Sequence, residues 1–485
     1  MNTIGIDLGT TNSVACILRN GQFEFLKFSG KDILPSAILY DDGKISVGDK
    51  AKRKAKLNAE HFISSAKTFM GDQQHKWKID NREFTATDVA AEVLKEIYKS
   101  ARKFFGNDEP IQAVITTPAQ FSAIQNGETK IAGEKDGFIV KQILAEPIAA
   151  AMAYASENPK PHEKIYVVDL GGGTFDVALL ETTEQNKYET LFKDGNRSLG
   201  GDNFDQAVVN LMINAVKKII GADLSTVEKS KLNERQYKKT LQKIYIEAEK
   251  VKCTLSTSEV EKVDIENLFP YEDGYFDLHT SITREDFLKE AAPYVKEVEN
   301  VIRRSFENTE YDVKDVDRII LVGGSANMPF VRECVKKLFD KEPYANMDLS
   351  KLVAMGAAIL ADDELGNGIE LHDKIAHSFG IKIIGERLAI VLKKDEEYPC
   401  YRNDFFETVK DNQKSILFKV YEGEDTEDLS NDRYIGEFWL KDIEPAPAGK
   451  KVDVRFEFDK SCILHVTAED PVTKSFEEIY LNPYS

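Results

Sequence analysis

Two short segments of this chain repeat each other. Ile4-Gly5-Ile6-Asp7-Leu8-Gly9-Thr10-Thr11 is matched by Val167-Val168-Asp169-Leu170-Gly171-Gly172-Gly173-Thr174, which puts Asp7 and Asp169 162 positions apart. In both, an apolar strand ends in Asp-Leu-Gly and runs into a Gly/Thr turn. Glycines let the backbone take positive φ and come close to a ligand, so that successive N–H groups aim at phosphate oxygens. Threonine hydroxyls add donors, and the strand-end aspartate can hold a cation or its waters beside the phosphates. One such turn is an ordinary hairpin. Two in the same order, a lobe apart, imply two similar halves facing each other across a cleft. No GxxxxGK[ST] loop occurs, which excludes a P-loop nucleotidase.

Around the repeat, β-rich runs alternate with long amphipathic helices to about residue 360, the pattern of a mixed α/β domain. Val89–Phe105 reads as one helix, with Thr87 as its N-cap, and the strand Ile111–Thr116 follows it. Thr283 and Asp286 open another helix that runs to about Phe306. The acidic, Gly-containing stretch Asp362–Asp373 then reads as a linker. Beyond it come short alternating runs: Phe379–Ile384, Leu388–Leu392, Ser415–Tyr421, Val452–Phe458 and Ile463–Ala468. Turn signals separate them, which predicts a compact antiparallel β domain. The expected division is a two-lobed domain over 1–362, a linker over 363–373 and the β domain over 374–485.

The net charge of −19 argues against a nucleic-acid partner and against an anionic membrane surface. The basic run Asp49–Lys56 reads as a solvated helix face. No signal segment precedes the first strand, and no apolar run approaches the roughly 18 residues of a membrane span. The five cysteines are scattered and form no CxxC pair, so structural zinc and disulfides are not expected. The expected location is the cytoplasm.

Two further glycine motifs stand out. Ile319–Val322 breaks into Gly323-Gly324-Ser325 ahead of a helix at Pro329, a turn that either packs tightly or lies against a nucleoside. Leu199-Gly200-Gly201-Asp202 reads equally as a helix start and as a ligand contact.

Together these features resemble the DnaK-type chaperones, the seventy-kilodalton heat-shock family of the actin-like ATPase superfamily. IGIDLGTTNS (4–13), AEPIAAAMAYA (145–155), VVDLGGGTFDV (167–177), LGGDNFD (199–205), LVGGS (321–325) and VAMGAA (353–358) stand in family order. So do DNQ (411–413), VYEGE (420–424), GEF (436–438) and PAPAG (445–449) in the β domain. The Met328-Pro329 turn and the Leu349–Ile359 segment look most like the divergent HscC-type branch.

The resemblance implies an ATPase that binds ATP/ADP with Mg2+, and with K+ as an optional companion ion. Lys67, Glu146, Asp169 and Thr174 would be the catalytic set. Gly9, Thr10, Thr11 and Asn12 would hold phosphates from one lobe, and Gly171, Gly172, Gly173 and Thr174 from the other. Asp7, Asp169 and Asp176 would organise the metal through its waters. Gly200, Gly201, Asp202, Glu249, Lys252, Ser256, Gly323, Gly324, Ser325 and Asn327 would complete the nucleotide site. In the β domain, Ile381, Ile383, Ile384, Phe406, Val409, Ile416 and Phe418 match the groove that takes extended peptide. The implied partners are unfolded peptide segments, a J-domain co-chaperone and a nucleotide-exchange factor.

Several positions depart from the family pattern. Cys253 and Asn327 stand where cationic or aliphatic side chains usually bracket the adenine, so weaker base binding is expected. Glu386 replaces a glycine in the first groove loop. The linker, Ile369-Glu370-Leu371-His372-Asp373, has two polar interruptions and should dock more weakly than a run of leucines or in a different way. Gln142 replaces an arginine that engages the J-domain. No helical lid follows the β domain before Ser485. Two alternatives remain: a small-molecule kinase of the same superfamily, which has no need of the β domain, and an ATP-sensing adaptor for one dedicated partner with incidental turnover.

Overall fold

The computed structural model describes residues 1–55, 58–183, 186–344, 348–363 and 366–480. The repeat seen in the sequence is a repeat of topology. Asn2–Leu8 pairs in parallel with Ile111–Thr117 on one side and antiparallel with Asn12–Arg19 on the other. Glu163–Leu170 does the same with Arg318–Val322 and Phe175–Thr182. Each strand is thus central in its own mixed sheet, and each Asp-Leu-Gly turn sits at the end of a hairpin. Burial on both faces explains why these strands are nearly continuous apolar runs.

Two helices rich in small residues join the lobes. Glu146–Glu157 and Leu352–Ala361 pack against each other, burying Ala149, Ala150, Ala153, Ala354, Ala357 and Ala358. A side chain at Gly356 would run into Ala149 O, so the close approach depends on that glycine.

Local signals set most helix ends. The first long helix is Ala86–Phe105, starting three residues earlier than the pattern predicts. Its cap is Thr85, whose hydroxyl accepts from Asp88 N while Asp88 returns a bond to Thr85 N. Thr87 lies inside it, buried. The helix Arg284–Arg304 is capped by Thr283, as the sequence indicates.

The β domain is a sandwich of two four-stranded sheets. One runs in the order Arg387–Leu392, Phe379–Ile383, Ile416–Glu422, Arg433–Leu440; the other in the order Cys400–Glu407, Lys451–Phe458, Leu464–Glu469, Phe476–Tyr480. Phe379, Phe418, Val420, Val454 and Phe456 fill the space between them. Cys400–Glu407, Arg433–Leu440 and Phe476–Tyr480 were not legible as strands. The first is an edge strand exposed along almost its whole length, so it carries no alternation of apolar and polar residues.

The stretch between the domains is not free. Glu370–Lys374 adds in parallel to the second lobe's edge strand Lys187–Asn196 and pairs antiparallel with Glu397–Tyr398. Its polar interruptions do not prevent docking, because backbone bonds hold the strand and Asp373 is neutralised. Lys193 Nζ lies 3.2 Å from Asp373 Oδ1, with both side chains buried, and Tyr398 OH donates to Asp373 Oδ2 at 2.5 Å. Among the described residues no helix is long and apolar enough to cross a membrane.

Candidate active site

The two hairpin turns meet face to face at the bottom of the cleft. A methyl group at Gly172 would strike Thr11 Oγ1, so this contact requires glycine. Each turn is braced from behind. Ser36 Oγ donates to Gly9 O at 2.7 Å and Ser36 N to Thr11 O at 2.9 Å. The helix Gly201–Ile220 supports the second turn: Gly201 N donates to Gly171 O at 2.9 Å and Asp202 N to Gly172 O at 2.7 Å. These bonds decide the reading of the Leu199–Asp202 motif. The first N–H groups of that helix shape the hairpin and are not directed at a ligand.

Behind the turns lies a cluster of charge. Lys67, in the 3-10 turn Ala66–Phe69, donates from Nζ to Glu146 Oε1 at 2.8 Å and to Leu8 O at 2.5 Å. Glu146 opens its helix and is buried with the lysine. Three more carboxylates surround this pair. Burial, then the charge of Glu146, pushes Asp7 up to about 7 and does the same to Asp176. The same causes, in the same order, raise Asp169 well above the usual carboxylate range. A bound dication would relieve this repulsion. Among the described residues no three acidic, His or Cys side chains converge tightly enough to grip a metal directly, which suits a cation held through waters. Thr11 Oγ1 is buried at the cleft wall without a partner among the described residues, a donor placed where a phosphate oxygen would lie.

The cleft runs outward from these residues toward Glu249, Ser256 and Gly324. Its walls include Asp7, Gly9, Thr10, Thr11, Asn12, Asp169, Gly171, Gly172 and Thr174. Further out they include Glu249, Lys252, Ser256, Gly323, Gly324 and Ser325. Gly323 has φ of 83°, and its α-carbon lies tight against the Leu170 carbonyl, so no side chain fits there. The neighbouring Gly324 leaves open space. The enclosed volume is about 210 Å³, smaller than the roughly 300–1,000 Å³ of most ligand pockets.

Six expected residues sit elsewhere, Gly200 and Gly201 among them at the start of the helix behind the second turn. Asn327 is exposed and outside the cleft, its Nδ2 donating to Gly324 O at 3.2 Å. Gly173 and Asp202 line a second cavity of about 680 Å³ behind the turns. Asp176 is buried beneath the cleft floor, where Oδ1 accepts from Gln120 N at 3.3 Å. Other residues escaped sequence reasoning. Met328, beside Asn327, lines the outer end of the cleft with Leu349 and Ser350, next to Cys253, which the sequence does place there. Asp205 is buried and pairs with Lys252 at 2.9 Å. Lys52 crosses from the first lobe to Glu249 at 2.9 Å, so the basic run is not wholly a solvated face. Only its helical neighbours Ala51 and Ala55, both buried, hinted at a docked helix.

A family model described as Hsp70 protein matches residues 3–484. The chain belongs to the Hsp70 family. Members of the Hsp70 family are ATP-dependent chaperones that hydrolyse ATP, bind ATP/ADP with Mg2+ and engage unfolded peptide and co-chaperones. In this Hsp70 chain the expected groove residues divide. Ile381 and Phe418 belong to the sandwich core, with Phe418 stacked on Phe438 at 5.3 Å. Ile384 and Val409 are 79% and 56% exposed, and Ile383, Phe406 and Ile416 are half-buried. Glu386 takes φ of 56° beside Gly385 at 85°, so the first loop keeps a left-handed turn without the usual glycine.

Proposed function

We propose that this protein is a nucleotide-gated peptide-binding chaperone whose slow ATP hydrolysis controls the β domain. One observation carries the coupling: the segment Gln120–Ala123 touches both the catalytic cluster and the β domain. Gln120 N donates to Asp176, and three residues on Ala123 N donates to Glu422 Oε1 at 3.4 Å.

Thr10, Thr11, Asn12 and the Gly171–Thr174 turn hold the phosphates by N–H and hydroxyl donors. Asp7 and Asp169, on the cleft wall, would hold hydrated Mg2+, with the buried Asp176 adding negative charge beneath them. When bound, the cation neutralises charge on the transferring phosphoryl group. Lys67 supplies a second positive charge beside the terminal phosphate. Glu146, fixed by that lysine, orients the attacking water. This division suits phosphoryl transfer, which needs charge neutralisation and alignment more than a strong base. Ile384 and Val409, both exposed, are available to an extended apolar segment, with the half-buried Phe406 and Ile416 as further apolar contacts.

Fluorescence anisotropy of a short apolar peptide with ATP, with ADP and without nucleotide, run beside phosphate release, tests this reading. Faster peptide release with ATP supports it. Peptide-independent turnover with unchanged anisotropy points instead to an ATP-sensing adaptor.

A further inference from the structure

Arg433 belongs to the β domain, yet its guanidinium ends on the ATPase domain. Nη1 donates to Ser122 Oγ at 2.7 Å and Nη2 donates to Gly71 O at 3.0 Å. Both acceptors lie on segments that border the catalytic cluster. Gly71 directly follows Met70, whose N–H closes the Lys67 turn on Lys67 O at 3.1 Å. Ser122 caps the helix Ala123–Glu134, two residues after Gln120, which donates to Asp176.

The Met70–Gly71 stretch is held from three sides. Gln125 Nε2 donates to Met70 O at 3.1 Å, and Gly71 N donates to the buried Glu128 Oε2 at 2.6 Å. Gln125 and Glu128 sit on the same helix, so those two holds move with the first lobe. The bond to Gly71 O comes from the other domain. A planar guanidinium fork can bridge two acceptors in fixed geometry, which a lysine ammonium cannot.

We infer that Arg433 is a positioning residue that ties the placement of Lys67 to the docking of the β domain. The inference rests on the reading of Lys67 as the hydrolytic lysine. When the β domain moves, the Gly71 carbonyl loses its donor and the turn carrying Lys67 loosens. Arg433 touches neither the second hairpin nor the nucleoside end, so it acts on rate and not on affinity.

Single-turnover ATP hydrolysis by the full chain, with and without a short leucine-rich peptide, tests this beside calorimetric ATP affinity and hydrogen exchange. In the wild type the peptide changes the rate. In Arg433→Ala that change collapses to within about twofold, while ATP affinity also stays within about twofold. Exchange rises over residues 66–71 and stays low over 370–374. Ser122→Ala spares the Gly71 bond and keeps the peptide response. An undiminished response in Arg433→Ala overturns the inference. So does equal loss of protection over 370–374, which would make Arg433 a general docking contact. Lys67→Ala, measured alongside, separates the two levels: wild-type turnover there, or no peptide response in the wild type, removes the underlying reading as well.

Discussion

Lys67 and Glu146 form an ion pair at 2.8 Å with only 7% and 8% of their surfaces exposed, directly behind the point where the two Asp-Leu-Gly hairpins meet. Their segments are 79 residues apart in sequence. The lysine comes from a short 3-10 turn and the glutamate from the first turn of an interlobe helix, so both lobes' closure bears on this contact.

Replacing Lys67 with alanine removes the positive charge while the hairpins and the nucleoside end keep their shape. Hydrolysis should fall by about two to three orders of magnitude, comparable to removing one preorganised transition-state donor. ATP affinity should change by less than about tenfold. Single-turnover phosphate release and calorimetry measure the two effects separately.

The buried aspartates give the nucleotide-free protein a defined pH response. Burial, then the charge of Glu146, raises Asp176 in the folded protein to about 7 from the usual carboxylate value of about 4. Its stabilising contribution is therefore full below about 4 and is lost as pH rises through about 7. Asp176→Asn cannot ionise and avoids that loss. The melting temperature of the variant minus that of the wild type, without Mg2+ or nucleotide, should grow from pH 5 to pH 8. A gap that shrinks over that range contradicts the assignment.

The linker is anchored by charge. Lys193→Ala leaves Asp373 buried without its cation, a kind of loss that costs about 3–5 kcal/mol when a buried pair is broken. Hydrogen exchange over 370–374 should rise sharply in that variant. Lys193→Ala paired with Asp373→Asn should recover much of the protection, because neither charge then remains. Equal exposure in the single and double variants would rule out a charge-specific anchor.

At the nucleoside end, Met328 lines the cleft and Asn327 points away. Met328→Ala should weaken ADP binding by about tenfold, the scale of one lost buried side-chain contact set. Asn327→Ala should leave it within about twofold. Calorimetry on both variants decides whether the adjacent pair is assigned in the right order.

Much of this was legible in the chain. The Asp-Leu-Gly turns announce themselves because a ligand-facing hairpin leaves little choice of residue. The alternation of the β domain shows in Val452–Phe458 because one face is core and the other solvent. Asn327 and Met328 show where such reading fails. Both sit at the end of one short turn, and a shift of one position decides which side chain enters the cleft. Lys52 shows the same limit, since nothing local says that a helix lysine will meet Glu249, 197 residues away.

What the sequence determined by itself is the pair of hairpins and the sheets behind them. The close approach of Gly9 to the Asn12 carbonyl and the burial of the strands are local requirements, and they write themselves into residue type. What only the tertiary structure decided is the traffic between domains. Lys193 with Asp373, and Arg433 with Gly71 and Ser122, are long-range meetings of side chains that would be ordinary on any surface. Their energy comes from burial and neutralisation on docking, and no local pattern encodes that.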